Sequence, residues 1–135
     1  MLFLLDTNAV NEVIKENPRM GDRLARASRS DTVAICTIVR GEVLFGIERM
    51  PEGRKRRDLA TKASGLLADL PCYSVPSPAA DHYARIKHAC RRKGLPLDEN
   101  DLWIAATALA LGATLVTRDA DFARVERLTV EDWTV

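Results

Sequence analysis

Leu2-Phe3-Leu4-Leu5, followed by Asp6-Thr7-Asn8, is the stretch whose reading decides the fold. Four consecutive apolar residues that stop on a carboxylate predict a strand buried on both faces, with a polar group delivered at its C-terminal edge. Open parallel sheets keep their ligands at that edge. If Asp6 is a site residue, other acids should end other strands or begin the helices that follow them.

The 135 residues predict one domain, spanning 1–135, with room for a real core and a single site. Hydrophobic residues make up 47% and charged residues 29%, the profile of a globular rather than a disordered or membrane-spanning chain. Twenty basic residues against 19 acidic ones leave a net charge of +1, so nucleic acid would have to be held by local clusters and not by an overall field. Cys36, Cys72 and Cys90 are odd in number and lack Cys-x-x-Cys spacing, which argues against a disulfide framework and against zinc. Reduced, half-buried thiols in a cytoplasmic protein are the expectation. No stretch has the pattern of a signal peptide or the length of a membrane span.

Outward from Asp6, strands and helices alternate. Val10, Val13 and Ile14 predict a short helix closed by Pro18, and a second, Arg-rich helix covers Arg19 to Ser28. Val33 to Cys36 reads as a strand, and Thr37 as the N-cap of a helix reaching Met50. Glu52 to Leu70 carries an apolar stripe behind a basic start, and Cys72 to Val75 is a brief strand. Ser74 or Ser77 leads into a helix that Gly94 ends. The segment after Asp98-Glu99-Asn100-Asp101 is apolar on nearly every side up to Leu111, which predicts a central, buried helix closed by Gly112. Thr114 to Thr117 is a strand, Arg118-Asp119-Ala120-Asp121-Phe122 follows, and Leu128 to Val130 is the last strand. The fold class is α/β, a mainly parallel sheet with helices on both faces.

Asp6, Glu42, Asp101 and Asp119 each end a strand or open the helix after one, so this architecture brings them to one edge. Carboxylates gathered in a partly desolvated crevice repel one another unless cations neutralise them. All-oxygen donors without cysteine or histidine suit Mg²⁺ or Mn²⁺, and such a metal would take its remaining ligands from phosphate oxygens. Phosphoryl transfer by activated water is the chemistry this favours. Plainer readings stand beside it. Asp98 and Glu99 occupy positions where acids cap helices, Asp121 would serve equally as a turn cap or as a ligand, and Glu42 alone would be an ordinary surface residue. Asp6 and Asp101 resist such readings, because an unpaired acid beside so much apolar sequence is costly to bury.

Asp6-Thr7-Asn8, Thr37-x4-Glu42-x3-Gly46, Asn100-Asp101-x2-Ile104-Ala105-Ala106 and Thr117-Arg118-Asp119-x-Asp121-Phe122, in this order across the chain, resemble the PIN domain, above all that of the VapC toxins of toxin-antitoxin pairs. The resemblance implies a three-layer α/β/α domain acting as a metal-dependent endoribonuclease. Asp6, Glu42, Asp101 and Asp119 would match the acidic metal ligands, with Asp121 a further ligand and Thr7, Asn8 and Thr117 the supporting polar residues. It also implies Mg²⁺ or Mn²⁺ as cofactor, a homodimer, and a small VapB-type antitoxin that would build a heterotetramer or larger assembly. Its tail would lie across the toxin's groove.

RNA would need positive surface beside the acids. Arg118 adjoins Asp119, and Arg54 and Arg57 belong to a basic cluster that would otherwise be a solvated helix face. Phe45, Tyr73 and Tyr83 read as core or interface residues, and His82 and His88 as surface residues. A haloacid-dehalogenase-type phosphatase needs a second acid where Asn8 stands, and a receiver domain needs adjacent acids after its first strand. Two further readings stay open: a non-catalytic RNA- or protein-binding domain, and a PIN ribonuclease without an antitoxin.

Overall fold

A computed structural model describes all of residues 1–135. β1 (Leu2–Leu5) lies at the middle of one five-stranded sheet whose order is β3-β2-β1-β4-β5, with β2 (Thr32–Cys36), β3 (Cys72–Tyr73), β4 (Thr114–Val116) and β5 (Val130–Glu131). Every neighbouring pair is parallel, so the sheet expected to be mainly parallel is parallel throughout. Phe3, Leu4 and Leu5 are buried because neighbours cover both edges and helices cover both faces. Burial of each such side chain contributes roughly 1.5–3 kcal/mol.

The helices are α1 (Thr7–Ile14), α2 (Pro18–Ser30), α3 (Thr37–Glu48), α4 (Arg54–Asp69), α5 (Ala79–Arg92) and α6 (Glu99–Leu111). Helices α1 to α4 pack among themselves, and α5 packs along α6. Right-handed crossovers place these two groups on opposite faces of the sheet, which gives three layers. α6 is the central helix its sequence predicts, with Leu102 and Ile104 to Ala108 all buried. Gly112 closes it at φ 64, a left-handed conformation that suits glycine. No helix is long and apolar enough to cross a membrane.

Several local expectations are corrected. The cap position of α3 is Cys36 and not Thr37, which is already helical, and α3 ends at Glu48. Neither Ser74 nor Ser77 caps α5, whose N-cap is Pro78, without a side-chain bond. Strand β3 stops at Tyr73, and the last strand is Val130–Glu131, because pairing with β2 and β4 reaches only those residues. Cys36 and Cys90 are fully buried while Cys72 is exposed, so the thiols are not uniformly half-buried. Phe45 is 65% exposed on the outer face of α3, Tyr73 lies at the sheet edge, and Tyr83 is half-buried against Trp103, their rings stacked 4.0 Å apart. Of the histidines, His88 is exposed and His82 partly covered.

Candidate metal-binding acidic site

The chain leaves β1 in one direction, towards β2 and β3, and returns on its other side as β4, so the order reverses between β1 and β4. Ligands of open α/β sheets bind at the carboxyl ends of the strands at such a point. Asp6 stands there, its backbone N–H donating to the Val116 carbonyl at 3.1 Å.

Asp6 is only 3% exposed. Its Oδ1 accepts the Ala9 N–H at 2.8 Å, so the residue that ends the strand also caps α1. Burial pushes its carboxyl up to about 6, and the nearby charges of Asp119 and Glu42 act in the same direction. The Thr117 hydroxyl and the Ala9 N–H oppose that rise without cancelling it. Asp101, in the first turn of α6, is pushed to about 7 by burial first and then by Asp98, Glu42, Asp119 and Asp6. The acids that the sequence singles out therefore lie within electrostatic reach of one another.

Glu42 projects from α3 and accepts two bonds. The Thr7 hydroxyl donates to it at 2.5 Å and the Asn100 amide at 3.3 Å. Three elements thus hold this carboxylate in place. Asn100 is the participant that sequence reasoning misses, because it sits inside what reads as a capping run, although its place beside Asp101 offers a signal. Asp119 caps the 3₁₀ turn Ala120–Arg124 by accepting the Asp121 N–H at 2.9 Å, and its own N–H donates to Thr117 Oγ1 at 2.9 Å. Thr117 is therefore shared between Asp6 and the Asp119 loop.

The remaining candidates are placed less closely. Asp121 is exposed and ion-paired with Arg124 at 3.0 Å. Asn8 is exposed on α1 and makes no side-chain hydrogen bond within the chain. Arg118 turns to Glu12 at 3.1 Å instead of to Asp119. Arg54 and Arg57 are exposed in the first turn of α4. Asp98 holds the N-cap position of α6 without a side-chain cap bond, and Glu99 accepts from Tyr83 and Lys87.

None of the chain's ion pairs includes Asp6, Glu42, Asp101 or Asp119. No buried side-chain polar atom lacks a hydrogen bond, so the buried Asp6 is satisfied as an acceptor and still has no counter-charge. No three of the chain's acidic, histidine or cysteine side chains are closed into a ligating group in this conformation. The donors are oxygens throughout, which fits a hard divalent cation such as Mg²⁺ or Mn²⁺.

Residues 3–128 match the PIN domain family model. The chain is 30% identical to Ribonuclease VapC2 of Rickettsia felis, over 98% of both chains. It is likewise 30% identical to the tRNA(fMet)-specific endonuclease VapC of Salmonella typhimurium, over 97% of each. The structure of VapBC2 from Rickettsia felis bound to a DNA fragment from its promoter superposes with a TM-score of 0.90 at 29% identity, covering 98% of this chain and 99% of that one. The sheet order, the acids at its carboxyl edge and these likenesses along the whole length agree, and the chain belongs to the PIN-domain family, among its VapC members.

Proposed function

We propose that the chain is a metal-dependent endoribonuclease, the toxin of a type II toxin-antitoxin pair, which hydrolyses RNA phosphodiester bonds with activated water. The observation that carries the reading is the set of four carboxylates at one sheet edge with no cation paired to any of them. A non-catalytic binding module has no use for such a costly arrangement.

Asp6, Glu42, Asp101 and Asp119 would hold Mg²⁺ or Mn²⁺, with Asp121 at the margin once released from Arg124. A bound divalent ion supplies a lowered pKa for water and charge stabilisation on the departing oxygen. The chain's own residues prepare for this. Thr7 and Asn100 fix the direction of Glu42, the Thr117 hydroxyl bonds to Asp6, and the turn after β4 fixes Asp119. Asp101, raised by burial and by the neighbouring acids while no cation is present, is the carboxylate that would gain most from one. Water attacking phosphorus, with the 3′ oxygen departing and taking up a proton, would leave a 3′-hydroxyl and a 5′-phosphate, whereas attack by the ribose 2′-hydroxyl would give a cyclic phosphate.

The partner of this reading is a VapB-type antitoxin, supported by the VapBC complex to which the chain is similar. A homodimer in the cytoplasm, assembled into a heterotetramer or larger particle with that antitoxin, completes it. Cleavage of structured RNA with Mg²⁺ or Mn²⁺, abolished by EDTA and by Asp101→Asn in a folded protein, is the result expected. Cleavage that survives both treatments overturns the mechanism.

A further inference from the structure

Glu42 does more than close the acid cluster, since it also forms one end of a cleft of about 300 Å³ between α1, α3 and α4. Val43, Ile47 and Leu59 give that cleft an apolar wall. Lys15 and Arg49 stand on its rim, at the C-caps of α1 and α3. Arg49 lies seven residues beyond Glu42, about 10 Å along the helix. The cleft therefore leads away from the acids towards two cations.

Neither cation is engaged by a carboxylate. Nearby Arg56, Lys62 and Arg118 are each paired with a glutamate, while Lys15 and Arg49 form no ion pair in the chain. Arg49 is instead held over the exposed Phe45 ring, 5.9 Å from its centroid. A guanidinium held on an aromatic face keeps its donors free for an anion. Gly46 lines the same cleft, and a Cβ built there would meet nothing within 4 Å. Glycine in mid-helix costs about 1 kcal/mol relative to alanine, so its presence in α3 forgoes stability while leaving the cleft open.

We propose that this cleft is a nucleotide subsite, in which Lys15 and Arg49 hold a phosphate of the RNA strand while an unstacked base of the same strand rests on Val43, Ile47 and Leu59. An apolar wall with cations at its rim, joined end to end with the acids, matches a strand whose bases are apolar in face and whose backbone is anionic. Lys15 and Arg49 are positioning residues, remote from the reacting atoms. The proposal rests on the ribonuclease reading.

The test measures binding apart from cleavage. The full chain carrying Asp101→Asn is titrated with a short, unstructured, fluorescently labelled oligoribonucleotide across a NaCl series. Lys15→Gln and Arg49→Gln should each weaken binding about fivefold and lower the salt slope by about 0.7 per lost phosphate contact. Gly46→Leu should weaken binding about tenfold or more with the slope unchanged and with thermal stability equal or higher, because leucine is the better helix former. In the wild-type background the same changes should raise KM and leave kcat nearly intact. Binding within about twofold of the parent in all three variants overturns the subsite, as does intact RNA binding with lost capture of a copurifying small protein, which would make the cleft a protein groove. If the parent itself neither binds RNA nor cleaves it with Mg²⁺ or Mn²⁺, the ribonuclease reading falls and the subsite with it. A parent that binds and cleaves beside indifferent variants removes the subsite alone.

Discussion

Asp6 carries two demands that pull against each other. As a cap it needs an oxygen facing the Ala9 N–H, which an amide oxygen supplies as well as a carboxylate oxygen. As a charge it is buried, with its carboxyl raised from 3.8 to about 6. A tenfold change in proton affinity corresponds to about 1.4 kcal/mol, so the ionised form opposes folding by up to roughly 3 kcal/mol at high pH. The unfolded chain releases this proton near 3.8, whereas the folded chain holds it until about 6, and Asp101 holds its own until about 7. Between those values the folded state binds more protons, so stability is fullest below pH 4 as far as these two groups decide it, and falls as pH rises to about 7. Asp6→Asn in EDTA should therefore stabilise the protein by about 1–3 kcal/mol at pH 8 and by almost nothing at pH 4, while abolishing cleavage. Urea unfolding at both pH values checks this, and a variant less stable than wild type at pH 8 would show that the site favours the charge. The buried place of Asp6 at the end of β1 is legible in sequence, because the acid follows directly on four apolar strand residues. Asn100 is legible only as the neighbour of Asp101, since its amide reaches across to Glu42 on another helix, a contact of 58 residues' separation.

At the scale of elements, α6 presents two residues of the candidate site, Asn100 and Asp101, from a helix buried on nearly every side. Its position is fixed by packing and not by a cap, because Asp98 makes no side-chain cap bond. Ile104 is 1% exposed, and Ile104→Ala should cost about 2–5 kcal/mol in urea unfolding. Metal-dependent cleavage should fall further than the loss of folded protein explains, since the same helix aims Asp101. Equal loss of both would mean that α6 aims nothing. Gly112→Ala should cost about 1 kcal/mol, because alanine resists the left-handed φ of 64. The long elements are readable because period and length agree, as in β1 and α6. Two-residue strands have no period, so the bounds of β3 and β5 come only from pairing with β2 and β4. The displaced cap at Thr37 has a similar origin, since strand β2 runs directly into α3 and leaves no loop residue to cap.

Across the whole molecule, the sheet order converts five separate segments into one edge, and the free energy that assembles it comes from the core beneath and not from the acids. Leu4, Leu5, Ile35, Leu115 and Val116 are fully buried directly under the site. The folded frame holds carboxylates together against their repulsion, so any cation that binds only this arrangement adds its binding free energy to folding. At about 100 times its dissociation constant that gain is about 2.7 kcal/mol. Protons compete for the same oxygens: at pH 5 both Asp6 and Asp101 lie below their folded values of about 6 and about 7 and are mainly protonated. Mn²⁺ should therefore raise the melting temperature clearly at pH 8 and much less at pH 5, the reverse of the pH trend of the metal-free protein. Differential scanning fluorimetry with Mn²⁺ and with EDTA at the two pH values measures both trends at once. Asp6→Asn combined with Asp101→Asn should lose the metal response while keeping a high melting temperature. A rise of equal size in that double variant, or one independent of pH, would place the cation somewhere other than the carboxyl edge between β1 and β4.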